Sequence, residues 1–212
     1  MSVRRSQETI PGPAGPLEAL LEAPENDTGR GLAVVCHPHP LYGGTMNNKV
    51  VYTVARAFLD VGMPTLRFNF RGVEGSAGQF ADGVGETEDA RAAIHWMRAR
   101  FPQRTLCLGG FSFGGAVAIR AAVQEQADVL VTVAPAVDRI AGTDALLPGC
   151  TWLILQGDQD DLVTADATRA WVQKLAQPPR LIVLAGADHF FHARLTELRQ
   201  HLLNWIAESK LA

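Results

Sequence analysis

Cysteine, net charge and long apolar runs are all scarce in this 212-residue chain. Its three cysteines, Cys36, Cys107 and Cys150, stand singly within or beside apolar stretches, with no Cys-x-x-Cys pair. An odd, scattered set does not suit a disulfide framework and reads as buried free thiols in a reducing compartment. The 19 Lys and Arg against 22 Asp and Glu leave a formal charge of −3. The two signs are mixed along the chain, and without a basic stripe no nucleic-acid partner is expected. No apolar run approaches the length of a bilayer crossing, so no membrane partner is expected. The opening "MSVRRSQETIPG" carries charge but lacks the apolar region of a secretory signal. The expected location is the cytoplasm.

What is present is a chain that is 47% apolar and only 19% charged, a balance that suits a compact core. Its length accommodates one large domain, 1–212, and no linker, repeat or low-complexity tract divides it. Short apolar segments from Val3 to Pro24, broken by "PGPAGP", predict an antiparallel hairpin at a sheet edge. "GLAVVC", "TLRFNF", "TLCLGG", "VLVTVA", "TWLILQ" and "RLIVLAG" follow as strand-like runs. Between them, Asn47 to Val61, Val84 to Arg100 and Phe113 to Val123 have helical patterning. Thr164 caps a further helix reaching Leu175, and Leu195, Leu198, Leu202 and Ile206 mark a closing amphipathic one. Alternation of strand and helix patterns from Leu32 onward predicts a mostly parallel sheet with helices on both faces.

In open α/β sheets, ligands gather outside the carboxyl ends of the strands. Ser112 follows "TLCLGG" within "GGFSFGG"; Asp158, Asp160 and Asp161 follow "TWLILQ"; Asp188, His189 and His192 follow "RLIVLAG". A serine, a carboxylate and a histidine thus emerge at one edge, in that chain order. "HPHPLYGGT" follows "GLAVVC" at the same edge.

This order and context resemble the α/β-hydrolase family, whose nucleophile elbow, Gly-x-Ser-x-Gly, lies between a strand and a helix. The resemblance spans nearly the whole chain and implies an α/β fold with a mostly parallel eight-stranded sheet. "NFRGVEGSAG" looks like the Arg-Gly-x-Gly-x-Ser loop of small hydrolases of the dienelactone-hydrolase and carboxylesterase kind, with Glu74 in place of its second glycine. The resemblance implies Ser112 as nucleophile and His189, directly after the last strand, as general base. "GDQDDLV" is similar to the family's Gly-x-x-Asp-x-x-Val and puts the acid at Asp160, with Val163 closing the motif. One oxyanion N–H is expected from Phe113. The other should come from the loop after "GLAVVC", where Pro38 and Pro40 have no N–H. His39, Leu41 and Tyr42 remain, and the similar loop of dienelactone hydrolases favours Leu41. Tyr42, Met46, Val163, Phe190 and Phe191 are the expected lining of the acyl pocket.

The implied activity is cofactor-free hydrolysis of a small carboxylic ester through an acyl-serine intermediate. Thioesters, lactones and amides use the same constellation. The link from "VLVTVA" to "TWLILQ" is too short for a separate cap, so an open cleft and short acyl groups are expected. Three rival readings compete. His37-x-His39 with Asp188, His189 and His192 has a spacing seen in metal ligands, but that leaves Ser112 unexplained. A non-catalytic binding protein on this fold would not need all three groups. Cys36 beside His37 suggests a thiol nucleophile, although its place is that of a buried strand residue.

Overall fold

The computed structural model describes residues 2–139 and 148–209. Among these described residues, eight strands form one sheet in the order β1-β2-β4-β3-β5-β6-β7-β8. The hairpin of β1 (Val3–Gly12) and β2 (Gly15–Pro24) is antiparallel, and β2 joins β4 (Thr65–Phe68) antiparallel. β4 then pairs with β3 (Gly31–Cys36), and β5 (Thr105–Phe111), β6 (Val129–Val133), β7 (Thr151–Gly157) and β8 (Arg180–Leu184) follow, every pairing parallel.

The uninterrupted apolar runs explain the layering. β3 and β6 are buried at every residue, so both faces of the sheet need cover. Because side chains alternate along a strand, Leu32, Val34 and Cys36 enter one core while Ala33 and Val35 enter the other. The first core is closed by α2 (Val84–Arg100), α3 (Phe113–Gln124) and α4 (Ala165–Val172), the second by α1 (Lys49–Asp60) and α5 (Leu195–Glu208). Among the described residues no helix is long and apolar enough to cross a membrane.

Element ends follow local hydrogen-bond demand. α1 begins at Lys49 rather than Asn47 because the Asn48 side chain accepts the N–H groups of Val50 and Val51 as an N-cap. Thr164 caps α4 through the Ala167 N–H. Glu86, in the first turn of α2, accepts the N–H groups of Ala81 and Gly83. β4 stops at Phe68, short of "NF", because buried Asn69 turns its side chain to other loops: it accepts the Met46 N–H and donates to Glu18 and Glu74. Glu74, standing where the family loop has glycine, has a φ of 46°, the left-handed backbone that explains the usual glycine. The link between β6 and β7 covers residues 134–150, and 140–147 of it lie outside the described residues, as does that part of the short-link expectation.

Candidate active site

β5 ends at Phe111 and α3 begins at Phe113, so Ser112 alone makes the turn between them. Its φ of 54° and ψ of −118° lie where a side chain costs about 1–3 kcal/mol. The surroundings enforce this conformation. Ser112 donates its N–H to Val133 and accepts at its carbonyl from Gly115, Ala116 and Ala136. A Cβ on Gly110 would stand 2.2 Å from the Gly114 carbonyl oxygen, and one on Gly114 would stand 2.3 Å from that of His37. The two glycines therefore let β5, α3 and the end of β3 approach backbone to backbone.

His189 and Asp160 reach this serine from the ends of β8 and β7. His189 Nε2 is 3.1 Å from Ser112 Oγ, and His189 Nδ1 is 2.8 Å from Asp160 Oδ2. Both side chains are nearly buried. Asp160 Oδ1 accepts the Leu162 and Val163 N–H groups at 2.9 and 2.8 Å, and Oδ2 also accepts Gln156 Nε2 at 2.9 Å. Burial pushes the Asp160 carboxyl upward, but hydrogen bonds from His189, Val163 and Leu162 outweigh it and hold the group below its ordinary value. An ionised carboxylate only accepts, so Nδ1 carries the ring proton and Nε2 is left to accept from the Ser112 hydroxyl.

Gln156 is a contributor that sequence reasoning missed. It is wholly buried, donates to the Val163 carbonyl as well as to Asp160, and is itself held by the Thr168 hydroxyl. A polar residue inside the otherwise apolar "TWLILQ" was the available signal. The neighbouring acids do not reach the serine. Asp158 accepts the Gly186 N–H, Asp161 is exposed, and Asp188 binds the backbone and ring of His192, itself 73% exposed.

The loop after β3 is organised by two histidines. His37 is buried, donates from Nδ1 to the Pro38 carbonyl at 2.6 Å and accepts the Phe70 N–H at Nε2. Both ring nitrogens are thus committed, and among the described residues no group of three or more His, Cys, Asp or Glu side chains is placed to hold a metal ion. Burial lowers the His37 pKa to about 4, the Pro38 bond opposing it. Between pH 6.5 and 4 the unfolded chain binds a proton here that the folded chain refuses, so stability is full above 6.5 and falls as the pH drops toward 4. Roughly 3 kcal/mol is expected to be lost over that window. Urea midpoints measured from pH 7 to pH 4.5 check this, with a shallower slope expected for His37→Asn.

His39 caps a short 3-10 turn, Pro40–Tyr42, by accepting the Leu41 N–H on Nδ1 at 3.2 Å, and its carbonyl accepts the Tyr42 N–H. This corrects the expectation for Leu41: its amide is spent inside the turn, and its side chain is 67% exposed. The His39 N–H has no acceptor among the described residues, nor has that of Phe113. Cys36, just before this loop, is a buried thiol whose pKa is pushed well up by desolvation and then by Asp89, which excludes it as a ready thiolate.

An open cleft of about 600 Å³ lies over Ser112 and His189. His39, Tyr42, Phe113, Val163 and Phe190 are among its walls. Met46 and Phe191 are not, contrary to expectation. The backbone of Met46 is drawn down by Asn69 and by the Arg67 guanidinium, and its side chain is buried. Phe191 is wholly inside the core with α5, where it anchors the loop that carries His189. Phe190, by contrast, stands edge-on to the His189 ring with centroids 5.1 Å apart.

A strand-turn-helix serine at the edge of this sheet defines the class as the α/β hydrolases. The structure superposes on an α/β serine hydrolase without a lid from Xanthomonas campestris, XC6422, with a TM-score of 0.92 and 40% identity, covering 98% of this chain and 96% of that one. An α/β serine hydrolase homologue from Coxiella burnetii matches with a TM-score of 0.89 and 41% identity, covering 94% and 96%. The uncharacterized protein RP471 of Rickettsia prowazekii is 38% identical over 206 residues, 92% of this chain and 86% of that protein. Residues 16–146 match the model of the S15 peptidases, and the chain belongs to that family, the X-Pro dipeptidyl-peptidase (S15) family.

Proposed function

We propose that the protein is a serine hydrolase of carboxylic esters, and that Ser112, His189 and Asp160 are its nucleophile, general base and orienting acid. The observation that carries this reading is the continuous hydrogen-bonded series from Ser112 Oγ through His189 to Asp160. Ser112 attacks the acyl carbonyl as His189 Nε2 takes its proton, and Asp160 stabilises the imidazolium. The tetrahedral oxyanion is held by the amides of Phe113 and, in place of Leu41, His39, since these two N–H groups are uncommitted. His189 then protonates the leaving alcohol, and water releases the acyl group by the same steps. No cofactor enters the scheme, and a small-molecule ester in the cytoplasm is the expected substrate. A fluorophosphonate tests the reading: one adduct is expected, on the peptide containing "GFSFGG". An unlabelled protein, or labelling elsewhere, overturns it.

The cleft also bears on acyl length. Tyr42 and Leu162 on its wall are 85% and 69% exposed, so it offers a shallow apolar rim rather than a tunnel. Each methylene gains about 0.8 kcal/mol only where a wall covers it. Short acyl groups are therefore expected to match or exceed long ones. Initial rates with acetyl, butyryl, octanoyl and palmitoyl esters check this, with no jump in rate expected as substrate passes its solubility limit.

Amide hydrolysis is the second reading, favoured by the family match to X-Pro dipeptidyl-peptidases. The same three residues serve that chemistry. An X-Pro dipeptide anilide run beside the ester panel separates the two: ester turnover without anilide cleavage supports esterase action, and the reverse supports the peptidase.

A further inference from the structure

Two polar side chains on the cleft wall take no part in the reaction proposed above. Arg139 ends the 3-10 turn after β6 (Val137–Arg139), lines the cleft, and has its guanidinium carbon 5.5 Å from the centre of the Phe113 ring. Its ion-pair partner is Asp82 at 3.0 Å, but the Asp82 side chain is 83% exposed. A pair this open to water is worth at most about 1 kcal/mol, so the cation is exchangeable. The turn that carries it is steadied by Arg120, which donates to the Arg139 carbonyl.

His39 packs on the same Phe113 ring, with centroids 4.8 Å apart. Because its Nδ1 accepts the Leu41 N–H, the proton of the neutral ring sits on Nε2. That N–H has no acceptor among the described residues, on a side chain that lines the cleft. Burial, and then the charge of Arg139, hold the His39 pKa below its ordinary value, so the ring stays a neutral single donor near pH 7. A cation with a weak partner and an unspent N–H thus flank the aromatic ring next to Ser112.

We propose that His39 and Arg139 form a subsite for a carboxylate carried by the substrate, so that the preferred substrate is an anionic ester. The proposal rests on the hydrolase reading of Ser112. Charge-assisted hydrogen bonds from both donors supply the recognition, and the carboxylate displaces Asp82 from the guanidinium. Asp138, exposed on the same turn and also lining the cleft, and Glu86, whose charge acts on His39, are the opposing charges and define the competing outcome.

The test compares kcat/KM for esters that differ only in one charge. Mono-4-nitrophenyl adipate against its methyl-capped diester places the carboxylate on the acyl side. 4-Acetoxybenzoate against its methyl ester places it on the leaving group. In at least one pair the charged member is expected to be favoured by about tenfold, chiefly through KM. The charged-to-capped ratio should fall to about one in Arg139→Gln and rise in Asp82→Asn, which frees the guanidinium. Using the ratio within each variant cancels any general loss of activity. A ratio at or below one in both pairs, a preference that survives Arg139→Gln, or a preference for a matched cationic ester overturns the subsite. Turnover of any ester in the panel reports separately on the hydrolase reading, and its complete absence, charged and capped alike, would overturn both.

Discussion

Ser112→Ala is expected to lower kcat/KM for a simple aryl ester by about 10⁴- to 10⁶-fold, the scale of single knockouts in other serine hydrolases. Among the described residues the side chain's one hydrogen bond is to His189, so its removal deletes the proposed nucleophile without unpicking the turn. The backbone bond from the Ser112 N–H to Val133 and those accepted from Gly115, Ala116 and Ala136 persist, because none involves Oγ. Circular dichroism and urea midpoint should therefore stay near wild type while turnover and fluorophosphonate labelling vanish. A variant that keeps a substantial fraction of wild-type activity would remove the serine mechanism.

Asp160→Asn is expected to cost on the order of 10³- to 10⁴-fold in kcat, with KM little changed. An amide at this position is no longer an acceptor-only partner for His189 Nδ1, so the ring is not held with its free nitrogen toward Ser112. It also withdraws the negative charge that steadies the imidazolium in the proposed scheme. One oxygen remains to accept the Leu162 and Val163 amides, so the loop keeps its shape. Asp158→Asn, Asp161→Asn and His192→Ala lie outside this series and are expected to stay within about twofold of wild type. Steady-state kinetics on the four variants decide the matter. If Asp161→Asn is the inactive one, the acid lies one residue along the loop.

Much of this architecture was legible because it depends on near neighbours in the chain. Apolar runs such as "GLAVVC" and "VLVTVA" announce strands covered on both faces, since any other placement strands several β-branched side chains in water. α2 begins and ends as expected from its acid-first, arginine-last charge pattern. The glycines around Ser112 mark a turn that only a missing Cβ permits. The chain order of Ser112, Asp160 and His189, each just past a strand, puts all three at one sheet edge.

Contacts between residues far apart in sequence decided the rest. Whether Leu41 or His39 has an uncommitted amide depends on which way one imidazole turns, and that ring is packed by Phe80 and Phe113 from other elements. Met46 is an apolar residue near a strand end, which points it to the cleft, but Arg67 and Asn69, more than twenty residues on, take both of its backbone groups. Phe190 and Phe191 are adjacent aromatics that no local rule separates. The turn after His189, with Phe191 at φ 55°, sends one to the cleft and the other into the core against α5. Gln156 and Arg139 likewise acquire their surroundings only when β7 and the turn after β6 are set beside Asp160 and Phe113. The sequence by itself determined the strands, the elbow and the order of the three groups, because sterics and burial act over a few residues. Tertiary structure alone decided which amides and side chains face the cleft, because a polar group turns toward whichever partner folding brings within hydrogen-bond reach.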